Sequence, residues 1–264
     1  MVQGRMRDRI KSWLNKHNAQ PGPNRIVNST YGPMIINMND THIGYSIRET
    51  GIWEFNEINT LIKLGHHLAG RLGQINFHDV GANVGMHTLA IAKSLEGRCR
   101  VRAFEPQEPI FHMLCGTMAL NNLQNVQCHC NVVSAEVGHI LEVEFPDYAS
   151  PNNFGGFEFV PSRNSDNQNM IRSPRCHKVS TISIDSFAEP VHLMKIDVEG
   201  MEDQVLRGAE KTIRTFRPIC HLEVMKTDVE FVKAFFLQRN YTFLPRGGDV
   251  LAVPHELLDG LPLP

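Results

Sequence analysis

The 264-residue chain has no apolar run near the roughly 20 residues that cross a bilayer. A membrane-spanning architecture is therefore not expected. Its first stretch, Met1 to Gln20, is basic and lacks an apolar core, so it does not read as a secretory leader. Charge of one sign is also missing. With 26 Lys and Arg against 28 Asp and Glu, the formal net charge is -2, and no global field recruits nucleic acid or an anionic membrane. The six cysteines form no Cys-x-x-Cys pair, which argues against a zinc ribbon or a dithiol redox centre. They read as free thiols in a reducing, cytoplasmic setting. Among the 13 histidines there is no His-Glu-x-x-His.

What remains is a globular composition, 42% hydrophobic and 20% charged, in a chain long enough for a substantial core. Residues 1–25 are basic and predict a solvated helix, broken by Pro21-Gly22-Pro23. Met34–Met38 and His42–Ile47 flank Asn39-Asp40 and predict a β-hairpin. Helical spacing from Trp53 to Leu68 predicts a lead-in helix.

Strands and helices then alternate. Ile75–Val80, Val101–Glu105, Val126–Val133, Val191–Asp197 and Pro218–Val224 predict strands, with Cys128 and Cys130 on one side of the third. Met86–Leu95, Pro109–Asn122, Glu202–Thr215 and Asp228–Arg239 predict helices. The alternation predicts a doubly wound α/β fold with a mainly parallel sheet. Tyr241–Leu244 and Val250–Val253 around Arg246-Gly247-Gly248-Asp249 predict a terminal antiparallel hairpin. The expected organisation is an N-terminal extension (residues 1–70), a catalytic domain (residues 71–254) and a short tail (residues 255–264). The segment Phe145–Lys178 is polar and rich in Asn, Ser, Pro and Gly, and reads as an insertion that is either a substrate-covering lid or a floppy loop.

The most informative stretch is Phe77-His78-Asp79-Val80-Gly81-Ala82-Asn83-Val84-Gly85-Met86-His87-Thr88. An apolar run closes on Asp79, a glycine turn follows, and a helix starts. This is the sequence form of a strand, loop and helix N-terminus that cradles a small ligand. The spacing is Gly-x-Asn-x-Gly and not Gly-x-Gly-x-x-Gly, which points to S-adenosylmethionine and away from NAD. Asp79, Gly81, Ala82, Asn83, Gly85, His87 and Thr88 are the candidate cofactor residues of this loop. Glu105 closes the next strand 20 positions past Gly85, the separation expected of a carboxylate that grips ribose hydroxyls. Asn131, at the third strand end, is a candidate for the base edge.

The fourth strand runs into Asp197-Val198-Glu199-Gly200. If extended, Asp197 and Glu199 share a face and converge on one pocket. They are the candidate catalytic carboxylates, with His87 and His221 in reserve. Whether Glu223 points to the crevice or to solvent is left open by the sequence. No metal is expected. A lesser version has Asp197, Glu199 and Glu223 offering oxygen ligands to Mg²⁺.

Asp79-Val80-Gly81-Ala82-Asn83-Val84-Gly85, Phe104-Glu105-Pro106, Lys195 to Glu202 and Val205 to Ala209 together resemble the FkbM family of methyltransferases. Gly51 to Glu57 resembles the family's lead-in helix, and the likeness runs to about Pro254. The resemblance implies a class I methyltransferase, Rossmann-like fold with S-adenosylmethionine as methyl donor. It implies O-methylation of a hydroxyl on a small molecule, a sugar or a natural product; the neutral charge balance, separately, argues against a nucleic acid partner. It places Gly81, Asn83 and Gly85 on the cofactor loop, Glu105 on the ribose, and Asp197 and Glu199 in the family's fourth-strand motif. Val132 stands where Ala is frequent, and the insertion departs from the family pattern. The competing readings are an NAD-dependent oxidoreductase, a non-catalytic cofactor-binding protein, and a nucleic-acid methyltransferase using Arg163, Arg172, Arg175 and Lys178 of the insertion.

Overall fold

The computed structural model describes residues 22–160 and 166–262. The expected N-terminal helix and Arg163 lie outside the described residues. In chain order the elements are β1 (Asn24–Ser29), β2 (Gly32–Asn37), α1 (Ile43–Thr50), α2 (Phe55–Leu72), β3 (Ile75–Val80), α3 (Met86–Ser94), β4 (Cys99–Phe104) and α4 (Glu108–Leu120). They continue through β5 (Val126–His129), β6 (Asn131–Val133), β7 (Ile140–Pro146), β8 (Arg172–Ile182), β9 (Leu193–Ile196), α5 (Glu202–Gly208) and α6 (Glu210–Phe216). The chain closes with β10 (Ile219–Glu223), α7 (Val229–Leu237), β11 (Tyr241–Arg246) and β12 (Asp249–Pro254).

Seven strands form the central sheet in the order β11-β12-β10-β9-β3-β4-β5. The five strands from β10 to β5 pair in parallel. β12 is antiparallel to both neighbours, so the terminal hairpin inserts its last strand between β10 and β11. Chain order reverses between β3 and β9, which puts the topological switch point, and with it the expected ligand crevice, at their carboxyl ends.

Side-chain alternation sends one set of apolar residues to each face. Val80, Ile196, Leu222 and Ala252 pack beneath α5, α6 and α7 with Leu206, Ile213 and Phe236. Ile75, Phe77, Leu193, Ile219 and Leu251 pack on the other face with Leu61, Leu64 and Ile91 of α2 and α3. This is the expected doubly wound α/β arrangement. The anticipated boundary at residue 70 falls inside α2, which shares that second cluster and so forms part of the sheet's covering layer.

Four expectations are corrected. The N-terminal hairpin is β1–β2, one strand earlier than predicted, and Ile43–Ile47 belongs to helix α1. Asn39-Asp40 is not its turn: the Asp40 carboxylate accepts backbone N–H groups from His42 and Gly44, both at 3.0 Å, at the start of α1. The predicted strand Val126–Val133 is split at Cys130, with β5 in the central sheet and β6 in a second sheet ordered β6-β8-β7. The helix predicted over Glu202–Thr215 is two helices meeting at Ala209. Finally, much of the insertion is ordered pairing: β7 and β8 form an antiparallel ladder with an irregularity between Glu144 and Pro146.

Candidate active site

Beyond β3, β4 and β9 lies a cavity that is partly open to solvent. Its floor is the β3–α3 loop. Gly81 and Gly85 have φ of 82° and 89°, which glycine adopts without strain. The loop sits so close to β9 that a Cβ on Gly81 would meet the Asp197 carbonyl oxygen at 1.7 Å. A Cβ on Gly85 would meet Leu114 Cδ1 at 2.5 Å. Asn83 between them also lies in the left-handed region, at φ 50°, and its side-chain oxygen accepts the N–H of Val84 at 2.8 Å. The backbone N–H groups of Gly81 and Ala82 both donate to the Phe104 carbonyl, tying the loop to the end of β4.

Glu105 is buried and its two oxygens accept from backbone N–H groups, Asn83 at 3.0 Å and Gln107 at 2.8 Å. It lines the cavity. Burial pushes its carboxyl up to about 7, against the lowering effect of those two N–H donors. Asn131, Val132 and Val133 line the adjoining wall, and the Asn131 amide donates to the Ser180 carbonyl and hydroxyl.

Asp79, Gly85 and Thr88 are not among the lining residues. Asp79 and Thr88 are wholly buried, and the Thr88 hydroxyl donates to Asp79 Oδ2 at 2.6 Å. All three brace the loop from behind the cavity wall. Gly81, Ala82, Asn83, Glu105, Asn131, His87, Asp197 and Glu199 do line the cavity.

The reacting end follows from register. Asp79, Lys195 and His221 stand side by side on β3, β9 and β10, and Glu223 faces Asp249 across β10 and β12. All lie on the sheet face covered by α2 and α3, where their strand neighbours Phe77, Leu193 and Ile219 are apolar. Lys195 is therefore an ammonium in a buried polar row. Its Nζ donates to Asp197 Oδ2 and the Gly81 carbonyl, both at 2.9 Å, and lies 3.9 Å from Asp79 Oδ1. Burial works against its charge, but Asp197, Asp79 and Glu54 outweigh it and raise the pKa.

Asp197 does not sit on an extended strand with Glu199. β9 ends at Ile196, and Glu199 turns back at φ 55° ahead of Gly200 at 95°. The two carboxylates still meet at the cavity, joined by Glu223; one oxygen of each lies within 4.8 Å of the others. Glu199 is bound by Lys226 Nζ at 2.5 Å and Asp197 by Lys195. Two of the three negative charges are thus already countered by ammonium groups, so the trio is not assigned as a metal centre. Burial, then Asp197, raises Glu199 to about 7.

A narrow recess with room for about one water adjoins the cavity and shares Glu54, His87, Lys195, Asp197 and Glu223 with it, adding Glu57, His221 and Asp249. His87 Nε2 is 3.5 Å from Glu54, and His221 Nε2 is 3.8 Å from Asp249. Burial, helped by Lys195, lowers both imidazoles, His221 to about 4, so both are neutral at pH 7. Sequence reasoning gave no site role to Lys195, Glu54 and Asp249, and left the direction of Glu223 open. The available signal was parity: polar residues at the ligand-side ends of strands, in step with Phe77, Leu193 and Ile219.

The insertion supplies the roof. Phe157 and Phe159 line the cavity, and Gly155 sits against the Asn83 amide. Lys226 bridges Glu158 of the insertion, at 3.3 Å, and Glu199. Tyr148 and Phe154 bind the Gln107 side chain through a 2.8 Å hydroxyl donation and a 3.0 Å amide donation to the Phe154 carbonyl.

Comparison with known proteins agrees with this geometry. The Methyltransferase FkbM domain matches residues 79–245, from the end of β3 to β11. The chain belongs to the FkbM methyltransferase family. Methyltransferase 1 of Beauveria bassiana (strain ARSEF 2860) is 25% identical over 143 residues, half of this chain and 57% of the relative. The chain therefore spans little more than half the length of that curated relative. Among solved structures, methyltransferase FkbM from Methylobacillus flagellatus KT aligns at 15% identity and TM-score 0.47, covering 75% of this chain and 48% of its own. The tRNA (uracil-54, C5)-methyltransferase of Pyrococcus abyssi, solved with S-adenosyl-L-homocysteine, aligns at 12% identity and TM-score 0.45, covering 87% and 44%. Among the described residues, no helix is long and apolar enough to cross a membrane.

Proposed function

We propose that this FkbM chain transfers a methyl group from S-adenosylmethionine to a hydroxyl of a small molecule, sugar or natural product. The observation that carries the reading is the Gly81–Gly85 loop locked to Glu105 beside a cavity roofed by the insertion. In this reading Gly81, Ala82, Asn83 and Gly85 leave room for the amino-acid part of the cofactor, Glu105 accepts from the ribose hydroxyls, and Asn131 with Val132 and Val133 borders the base. When bound, the sulfonium supplies an electrophilic methyl carbon. The chain's work is then alignment, worth about 7–11 kcal/mol of barrier when well oriented.

Asp197 and Glu199 stand at the reacting end in this reading. Each is held by an ammonium group, which fixes the position of its carboxylate at the cavity wall. The roof of Phe157 and Phe159 gives the cavity an apolar wall and favours an acceptor with an apolar face. The basic residues of the insertion support a small acceptor over nucleic acid. Arg172 donates to the Glu144 carbonyl and stacks over Phe157, and Lys178 pairs with Glu142.

Calorimetry with S-adenosylhomocysteine and with NAD tests the cofactor assignment. Binding of the first and not the second is expected. Binding of NAD alone would replace the reading with an oxidoreductase. Tight S-adenosylhomocysteine binding with no methyl transfer to any hydroxyl-bearing compound would leave a non-catalytic binding protein.

A further inference from the structure

Methyl transfer to a hydroxyl needs somewhere for the proton to go. The two carboxylates at the reacting end, Asp197 and Glu199, already accept from Lys195 and Lys226. Among the described residues, the Glu223 carboxylate makes no hydrogen bond and no ion pair. It closes β10 and lines both the cofactor cavity and the adjoining recess. It is the one carboxylate of the Asp197, Glu199 and Glu223 trio not held by an ammonium.

We propose that Glu223 is the proton acceptor of the reaction, and that the acceptor hydroxyl reaches it from the cavity, with His221 and Asp249 behind it in the recess. The assignment rests on the methyl-transfer reading above. The acceptor oxygen forms a bond to the methyl carbon while the carbon–sulfur bond breaks, its electron pair staying on sulfur. The hydroxyl O–H bond breaks, and its proton passes to a Glu223 carboxylate oxygen. The proton then leaves to solvent through the open part of the cavity. Atoms and charge balance without a further reactant: sulfonium and alcohol become thioether, ether and a proton.

The surroundings agree with this role. Burial pushes Glu223 up to about 8, and Asp197, Glu199 and Glu202 add to the effect while Lys195 opposes it. Other groups face the same recess. His221 shares the strand, Asp249 comes from β12, Glu54 and Glu57 come from the start of α2, and His87 opens α3. Glu54 is raised to about 7 and Asp249 to about 6, so Glu223 is the last of these carboxyls to ionise. A base with a pKa near working pH is the effective one.

The test compares S-adenosylmethionine with S-adenosylhomocysteine, which differ by one methyl and the positive charge on sulfur. The sulfonium acidifies the α-ammonium of S-adenosylmethionine but has no counterpart in S-adenosylhomocysteine, so each affinity ratio is read against that of Glu223→Gln, where the ligands' own titration is the same. Relative to Glu223→Gln, the wild-type ratio should rise about tenfold between roughly pH 7 and pH 9, as Glu223 ionises near the sulfonium. Glu223→Gln should keep S-adenosylhomocysteine affinity within about twofold. Glu223→Asp should restore part of the rise, and Glu199→Gln should leave most of it. Circular dichroism of each variant checks the fold. A wild-type ratio that runs parallel to that of Glu223→Gln across this pH range overturns the assignment. Failure of the wild type to bind either ligand overturns the methyl-transfer reading instead.

Discussion

Gly81 and the Asp197 carbonyl oxygen are in backbone contact so close that a methyl group cannot fit between them. The contact welds the cofactor loop to the end of β9. Gly81→Ala should therefore cost on the order of 3 kcal/mol, because it adds both a left-handed alanine and a backbone collision. Urea unfolding measures the loss. Gly97→Ala is the control. That glycine also has positive φ, at 74°, but nothing lies within 4 Å of a Cβ there, so its cost should be smaller.

Glu105 accepts two backbone donors while facing the cavity. Glu105→Gln keeps the shape but presents N–H groups to other N–H groups. Affinity for S-adenosylhomocysteine should fall by about 10- to 100-fold, in line with hydrogen bonds to a charged group. Calorimetry at pH 8, above the raised carboxyl value of about 7, is the measurement.

Lys195 holds Asp197 directly and stands 3.9 Å from Asp79, deep in the sheet. Lys195→Met leaves buried carboxylates without their cation and should cost about 3–5 kcal/mol. The double variant Lys195→Met with Asp197→Asn should recover part of that loss. Denaturant midpoints of the two variants decide the matter. Equal midpoints would mean that Asp197 is not the partner that counts.

Stability should depend on pH with a definite sign. Glu54 and Glu105 are raised to about 7 and Glu223 to about 8 in the folded chain, above the ordinary carboxyl value near 4.5. A raised acid favours the folded state while protonated, and that advantage is present below about pH 4.5 and lost as pH rises through 7 to 8. The melting temperature of the ligand-free protein should fall between about pH 5 and pH 8 and level off above that. In Glu223→Gln the upper part of that fall should be reduced.

Lys226 joins the insertion to the Asp197–Glu199 loop through Glu158 and Glu199. Lys226→Met should free residues 147–160 without unfolding the sheet. Hydrogen exchange should quicken in that segment and stay unchanged in β3 and β9.

The nucleus of the fold was legible because two periodicities do not overlap. Ile75–Val80 alternates as a buried strand, and Met86–Ser94 follows a glycine turn that only a tight ligand loop requires. Glu105 was legible from its distance along the chain. The N-terminal hairpin was misplaced because aspartate serves turns and helix starts with the same chemistry, and at Asp40 the helix start won. The β7–β8 ladder was hidden because its residues alternate between half-buried and exposed, so polar side chains dilute the pattern. The recess was hidden for another reason. Its members come from β9, β10, β12 and the start of α2, and only the sheet order brings them together.

The position of β12 ties the recess to the order of synthesis. β10 emerges from the ribosome carrying His221 and Glu223, yet its neighbour on one side is made only about thirty residues later. Until then that edge is bare, a template for unwanted strand pairing. The same late segment delivers Asp249. A nascent chain arrested before β12 would hold the nucleotide-binding half complete and the proton-accepting half unwalled.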